Sequence, residues 1–312
     1  MSSKYALAPE FASQPRLTLP ANRLALHAIN GLIRLARRRF RFGDGVAVRT
    51  HRLRSADGAS FDVLEIAPPD QPRRASAVVD CHGGGFFLGH APLHLRCAER
   101  YASEGRCRVF FPDYRLSVSH PFPAGFDDCY ATLGWVHAEA ATLGVDSERV
   151  VLLGDSAGGA LAAGVAQKAL DRGEHPVRAQ LLIYPVTDHE TKTASALAFT
   201  DTPLWKTASN RNMWKVYLRG SPPGAAPAYA APLHRASFAG LPPARVEIAE
   251  FDPLRDEGRQ YADALRAAGV PVELREVKGA IHGYDLVEGS PTAEAVFVER
   301  IATLRRFLDA PA

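Results

Sequence analysis

The sequence predicts an α/β protein with a mainly parallel sheet wrapped by helices. Short apolar segments rich in β-branched residues recur along the chain, as expected for strands that are buried on both faces. Longer segments with helical periodicity separate them, and this alternation is typical of parallel sheets. The 312 residues, 46% hydrophobic and 23% charged, are enough to bury a large core.

The first two strands differ from the others because they flank Ala56-Asp57-Gly58, a sequence that favours a turn between antiparallel strands. After the proline-rich stretch 68–72, strands and helices alternate. Strands are predicted at 46–53, 59–66, 77–81, 108–112, 149–153, 180–184, 244–249 and 272–277. Helices are predicted at 21–42, 93–104, 126–141, 156–170, 254–268 and 293–308.

One long stretch, residues 187–232, breaks this alternation. It is rich in Thr, Ser, Ala and Pro and carries Trp205, Trp214 and Tyr217. Such a composition does not continue the strand–helix pattern. We therefore predict that this stretch is a cap inserted into the α/β unit.

The charge of the chain excludes some classes of function. A formal charge of +3 and a pI near 8.7 are too weak to favour a nucleic-acid partner. The helix at 21–42 concentrates basic residues, which would suit an anionic membrane or partner. A solvated helix face with a basic end explains such a short run more simply. The basic residues are Arg34, Arg37, Arg38, Arg39 and Arg41.

The four cysteines and the N-terminal residues indicate the compartment. Cys81, Cys97, Cys107 and Cys129 form no CxxC pair, which argues against a zinc knuckle or a dithiol redox site. They have the pattern of ordinary thiols in a reducing compartment. Residues 1–20 contain three prolines and no apolar stretch of signal-peptide length, and no run approaches the ~18 apolar residues of a membrane span. We expect a cytoplasmic protein.

The most specific local signal is a G-x-S-x-G motif at 154–158, directly after an apolar strand and before an alanine-rich helix. In this context the serine occupies a tight turn, and glycines are required where a β-carbon would collide. The helix that follows directs N-terminal N–H groups towards developing negative charge. The motif alone is equally consistent with a serine that caps a helix. Its placement favours Ser156 as a nucleophile.

A second glycine-rich loop, HGGGF at 82–86, also follows a predicted strand. Consecutive glycines let backbone N–H groups turn into a cavity, as the oxyanion of an acyl transfer requires. We predict that the N–H groups of Gly84, Gly85 and Ala157 are these donors. A phosphate-binding loop is the alternative, but no Lys-Ser/Thr follows and the spacing is not G-x-G-x-x-G. His82 is predicted to brace the loop through hydrogen bonds.

A serine hydroxyl needs a neighbouring base at neutral pH. Of the eleven histidines, His282 is the best candidate because it lies in a loop after the last predicted strand. Asp252 follows the preceding apolar strand, at the same edge of a parallel sheet, and is predicted to orient the histidine. The neighbouring Asp256 and Glu257 suit the first turns of the next helix instead.

His90 and His94 are four residues apart, a spacing that some metal sites use. Pro92 lies between them and no third ligand is evident in the sequence. We therefore predict no metal site.

Together these motifs resemble the hormone-sensitive-lipase-like carboxylesterases, the bacterial family often labelled IV. The resemblance rests on four blocks in the family's order, which span most of residues 77–284 and are specific as a set. They are HGGGF at 82–86, DYRL at 113–116 continuing into HPFPA at 120–124, GDSAGG at 154–159, and DPLRDEG at 252–258 with the later His282-Gly283.

The resemblance implies the α/β-hydrolase fold, with a mostly parallel eight-stranded sheet and the chain order nucleophile, acid, histidine. It implies a helical cap formed by residues 1–45 and 187–232, over a catalytic core of 46–186 and 233–312. It further implies a Ser-His-Asp triad that hydrolyses short- to medium-chain acyl esters through an acyl-enzyme, without a cofactor. Homodimers are common in the family, so self-association is an expectation.

The sequence departs from the family pattern at two places. Ser117-Val118-Ser119 replaces the usual Ala-Pro-Glu, which removes a carboxylate expected near the active-site loops. Ala160 replaces the asparagine that usually follows GDSAGG, which removes a polar anchor from the start of the helix. Neither change touches a predicted catalytic atom. We expect altered stability or substrate fit rather than loss of the chemistry.

Three aromatic residues, Phe86, Trp205 and Trp214, are predicted to line the acyl or alcohol pocket, although packing within the cap explains the tryptophans equally well. An amidase or formamidase with the same triad is the nearest alternative function. A non-catalytic receptor is a second, but such receptors typically lose the histidine, and His282 is present. A true lipase is a third, and no long apolar lid helix favours it.

Overall fold

The computed structural model describes residues 4–16, 18–222, 224 and 226–309. Residues 1–3, 17, 223, 225 and 310–312 belong to the predicted cap and core segments and lie outside the described residues.

Within the described residues, one eight-stranded sheet forms the centre of the molecule, with strand order β1-β2-β4-β3-β5-β6-β7-β8. Strand β2 runs antiparallel to both of its neighbours, and the remaining pairs from β4 to β8 are parallel. The predicted fold class is confirmed. The strands are β1 Ala47–Arg54, β2 Ser60–Ala67, β3 Ala75–Cys81, β4 Arg108–Asp113, β5 Val145–Asp155, β6 Ala179–Ile183, β7 Ala244–Phe251 and β8 Val272–Ile281.

The helices also follow the prediction, with two corrections. The helix predicted at 21–42 is shorter, Arg23–Arg37, because the chain leaves it in a turn at residues 38–39. The segment 126–141, predicted as a single helix, is two helices because Glu139 leaves the helical region at φ −99° and ψ 15°. The helices in the described residues are α1 Pro9–Ala12, α2 Arg23–Arg37, α3 Pro92–Gly105, α4 Ala124–Ala138, α5 Ala140–Leu143, α6 Ala157–Arg172, α7 Ala194–Ala198, α8 Thr207–Tyr217, α9 Arg255–Ala267 and α10 Pro291–Asp309.

Both faces of the sheet are covered. Alternate residues of the central strands point to opposite sides, so Leu152 packs towards α4, α6 and α9 while Leu153 packs towards α3 and α10. This explains why the strand sequences are apolar throughout rather than alternating. Cys81, Cys107 and Cys129 are free cysteines buried in these layers.

The N-terminal residues contact the stretch 187–232. The N–H of Leu19 donates to Ser209 Oγ at 3.0 Å, and the Asn212 amide donates back to the Leu19 carbonyl at 2.8 Å. The N–H of Leu204 donates to the Pro15 carbonyl at 2.8 Å. These bonds join the two segments that the sequence assigned to a cap. In the described part of the chain, no helix is both long and apolar enough to cross a membrane.

Candidate active site

The turn after β5 has the strained geometry predicted for the G-x-S-x-G motif. Ser156 has φ 53° and ψ −119°, and α6 begins at the next residue. A β-carbon on Gly158 would lie 1.8 Å from the Cys81 carbonyl oxygen, and one on Gly154 would lie 2.2 Å from the Gly158 carbonyl oxygen. Because these contacts are with backbone, no side-chain movement relieves them. The predicted need for both glycines is confirmed.

The structure brings Ser156, Asp252 and His282 together at the carboxyl edge of the sheet. Ser156 Oγ is 2.9 Å from His282 Nε2, and His282 Nδ1 is 2.8 Å from Asp252 Oδ2. The other oxygen of Asp252 accepts the N–H of Leu254 at 2.8 Å, which fixes the carboxylate. Each residue follows the end of a different parallel strand, β5, β7 or β8. All three side chains are buried.

The glycine-rich loop after β3 is fastened to the serine turn. The N–H of Gly83 donates to Asp155 Oδ1 at 2.8 Å, so the residue before Ser156 holds the loop directly. Gly84 and Gly85 have φ values of 112° and 61°, which glycine adopts without strain. In the described residues, the N–H groups of Gly84, Gly85 and Ala157 donate to no protein acceptor. They are therefore free to bind an oxygen atom.

His82 braces this loop, as predicted. Its Nδ1 donates to the Gly83 carbonyl at 2.6 Å, and its ring stacks on Tyr114 with centroids 4.2 Å apart. The Tyr114 hydroxyl donates in turn to the His82 carbonyl at 2.8 Å. Burial lowers the pKa of His82 to about 3, so the ring is neutral at pH 7 and carries no charge into the site.

The three aromatic residues predicted for the pocket are all buried, and one of them contacts the triad. The ring centroids of Trp205 and His282 are 5.6 Å apart, and those of Trp214 and Phe86 are 5.8 Å apart. Tyr217 stacks on Phe86 with centroids 3.7 Å apart. The sequence named Tyr217 in the inserted stretch but gave it no place at the site. In the described residues, neither indole N–H has an acceptor although both tryptophans are buried.

A buried ionic network supports the loop that carries His282, and sequence reasoning missed it. Arg300 of α10 donates to Glu247 at 2.8 Å and to Asp285 at 3.0 Å. Asp285 also accepts the hydroxyl of Tyr184, whose ring contacts the His282 ring at 4.7 Å. Burial alone would raise the pKa of Glu247, but the Arg300 and Arg245 guanidinium groups hold it below its ordinary value.

Two groups of potential metal ligands occur in the described residues. In the first, the Arg37 guanidinium lies 2.8 Å from His90 Nε2 and 3.2 Å from Asp113 Oδ2, so a cationic group already occupies the space. His94 is not part of it; its Nδ1 accepts the N–H of Ala91 at 2.9 Å, and its Nε2 lies 3.7 Å from Asp155 Oδ2. In the second, a 2.7 Å hydrogen bond joins two members directly. The groups are His82, His90 and Asp113, and Asp188, His189 and His234.

The segment that departs from the family pattern is held by its backbone. The N–H of Ser117 donates to the Phe86 carbonyl at 2.8 Å, which ties the segment to the glycine-rich loop. Arg23 and Arg219 both donate to the Val118 carbonyl, at 3.1 and 3.4 Å. Two arginines that bind carbonyl groups therefore support this segment. Ala160, the other departure, is buried in the core.

A serine, a histidine and a carboxylate at the carboxyl edge of an eight-stranded sheet define the class of the α/β hydrolases. Residues 78–286 match the family described as alpha/beta hydrolase fold, and the chain belongs to this family. Its relatives include carboxylesterases and esterases, so the predicted family of hormone-sensitive-lipase-like carboxylesterases and the predicted enzyme class are confirmed.

The chain is 39% identical over 251 residues to the carboxylesterase NlhH of Mycobacterium tuberculosis, covering 78% of this chain and 77% of that protein. It is 37% identical over 219 residues to the esterase LipI of the same species, covering 70% and 68%. Among solved structures, a bacterial heroin esterase superposes with a TM-score of 0.90 at 35% identity, covering 98% of this chain and 99% of that one.

Proposed function

We propose that the chain hydrolyses carboxylic esters with Ser156 as nucleophile, His282 as base and Asp252 as the residue that orients His282. The single observation that carries this proposal is the unbroken chain of hydrogen bonds from Ser156 Oγ through His282 to Asp252, at 2.9 and 2.8 Å. His282 takes the serine proton as Oγ attacks the ester carbonyl, and returns it to the leaving alcohol. Water activated by the same histidine then releases the acid from the acyl-enzyme.

The oxyanion of each tetrahedral intermediate binds the N–H groups of Gly84, Gly85 and Ala157. Support comes from their free donors and from the bond between Gly83 and Asp155, which fixes the loop relative to the nucleophile. Such donors contribute most when they are held in place before the reaction, since no reorganisation is then required. The N–H of Ala157 also lies at the positive end of the α6 dipole.

Residues 1–45 and 187–232 form the cap of this enzyme, over a core of 46–186 and 233–312. Trp205 and Trp214 of the inserted stretch, with Phe86 from the core, line the pocket for the acyl or alcohol group. The closeness of Trp205 to His282, the packing of Trp214 on Phe86 and the unpaired indole N–H groups of the two tryptophans support this role. A pocket walled by several large rings suits short- to medium-chain acyl groups. A cytoplasmic location and a homodimer stay predictions of the sequence.

The test is hydrolysis of p-nitrophenyl esters from acetate to laurate by the wild type and by Ser156→Ala. We expect turnover that peaks at short or medium chains and falls by at least about 10³-fold in the variant. Ser103→Ala, a change at an exposed serine of α3, is the matched control and keeps full activity. A correctly folded wild type that is inert on all esters but cleaves the matching anilides would replace this proposal with an amidase.

A further inference from the structure

Helix α2 exposes a continuous apolar stripe. Leu24, Leu32 and Leu35 are 81%, 69% and 51% exposed, and Ala28 between them is also exposed. Spacings of four, eight and eleven residues place these side chains on one face of a helix. The opposite face is buried through Leu26 and Asn30. An exposed row of leucines costs hydration free energy unless another apolar medium covers it.

The same region carries a strong positive charge. Residues 11–43 contain seven arginines and no acidic residue, whereas the whole chain has a net charge of only +3, so the rest of the chain carries −4. Arg34, Arg38 and Arg39 are exposed, and within the described residues none of them forms an ion pair. The leucines are thus bordered by cationic side chains that have no protein partner.

We propose that α2 docks on the surface of an anionic lipid bilayer. In this arrangement the leucines enter the boundary between headgroups and acyl chains while the arginines contact lipid phosphates, the pattern of an interfacial amphipathic helix. A nucleic acid would use the arginines but leave the leucines exposed to water. A second copy of this chain, paired through α2 about a two-fold axis, would bring two sets of arginines together. The lipid surface alone satisfies both features.

The attachment of α2 to the core fixes how the molecule would lie. The Asn30 amide donates to the Phe87 carbonyl and accepts the N–H of Gly89, both at 2.8 Å, and Arg37 binds Asp113 at 3.2 Å. Docking therefore requires no detachment of α2. It places the side of the molecule that bears the glycine-rich loop next to the membrane. A groove of about 390 Å³ runs beside α2 along residues 113–120.

The test is co-sedimentation of the full chain with vesicles of phosphatidylcholine alone or with about 25% phosphatidylglycerol. We expect binding to the anionic vesicles at least about tenfold stronger than to the neutral ones, and loss of most of it in high salt. Binding to the anionic vesicles falls by at least about tenfold in two variants, Leu24→Ser/Leu35→Ser and, separately, Arg34→Gln/Arg38→Gln/Arg39→Gln. The matched control, Leu197→Ser/Val298→Ser, removes exposed apolar residues elsewhere, 61% and 56% exposed, and leaves binding unchanged.

Turnover of a water-soluble short-chain ester stays the same in the α2 variants, and Ser156→Ala binds vesicles like the wild type, so the test does not depend on the proposed chemistry. Equal binding to neutral and anionic vesicles, or no binding, overturns the proposal. So does a dimer in light scattering that Leu24→Ser/Leu35→Ser converts to a monomer while vesicle binding is unaffected. In that case, the stripe is an interface between copies of this chain.

Discussion

Replacing Arg300 with methionine tests whether the buried ionic network holds the site together. Arg300 is buried on α10 and donates to Glu247 at 2.8 Å and to Asp285 at 3.0 Å, as well as to the hydroxyl groups of Tyr101 and Tyr284. Methionine has a similar length but no charge, so two carboxylates are left without their shared cation. Removing one partner of a buried ion pair costs about 3–5 kcal/mol, and we expect a loss of unfolding free energy in this range.

A second change separates the charge from the packing. Glu247→Gln/Arg300→Met removes the buried carboxylate together with the guanidinium, so the double variant should be less destabilised than Arg300→Met alone. Arg306→Met is the matched control, because Arg306 lies on the same helix and pairs with Glu273 at the surface, at 2.7 Å. Exposed pairs contribute about 0–1 kcal/mol, and the control is expected to lose no more than this.

The network also predicts a pH dependence. Because the folded state holds the pKa of Glu247 below its ordinary value of 4.5, the ionised carboxylate stabilises the fold above that pH. This stabilisation is lost as the pH falls through the folded pKa. In Arg300→Met the larger source of the lowering is gone, and of the two cations Arg245 alone remains to offset the effect of burial on this pKa. The gap in stability between wild type and variant should therefore narrow in acid.

Unfolding in guanidinium chloride at several pH values measures the free energy of unfolding of each variant. Ester turnover by the folded variants reports on the His282 loop. We expect Arg300→Met to lower kcat more than it raises KM, since the network contacts the His282 side of the site through Asp285 and Tyr184. A variant as stable as the Arg306→Met control at neutral pH would refute the argument. So would a double variant that loses more stability than Arg300→Met.

Two further changes test the packing around the site. Gly158→Ala should abolish activity and lower the folded yield, because its β-carbon would meet the Cys81 carbonyl; an active variant contradicts this expectation. Gly31→Ala is the contrasting change: its β-carbon would have no atom within 4 Å, so it should stabilise α2 by about 0.5–1 kcal/mol. Tyr217→Ala removes the ring stacked on Phe86 and should cost about 3–5 kcal/mol of stability. It should also raise the rate of hydrolysis of the octanoate ester relative to the acetate ester several-fold. An unchanged ratio of the two rates would contradict the proposal that Phe86 lines the acyl pocket.

Features that depend on local sequence could be predicted from the sequence. The strands were found because buried parallel strands need continuous apolar residues, and the turn at Ser156 because a strained turn between strand and helix requires glycines. The closeness of Asp252 and His282 to the serine followed from one topological fact: the carboxyl ends of parallel strands meet at one edge. The structure brings together the three residues that this reasoning selected.

Features that depend on contacts between distant segments could not be predicted. Arg300 appears in the sequence as one charged residue in a helix, and only the fold shows that it faces Glu247 from a strand 53 residues away. Tyr217 meets Phe86 across 131 residues, and no short-range pattern signals that stacking. The end of α4 at Glu139 was missed as well, since nothing in the sequence between 126 and 141 breaks the helical periodicity.

Two buried indole groups, of which Trp205 contacts His282, connect packing to substrate choice. In the described residues Trp205 and Trp214 are buried with no acceptor for either N–H, and an unpaired buried donor costs about 1–3 kcal/mol. A substrate with an oxygen acceptor within reach of either N–H recovers part of this cost. A purely hydrocarbon acyl chain recovers none, so polar substituents near the ester should favour binding over added chain length.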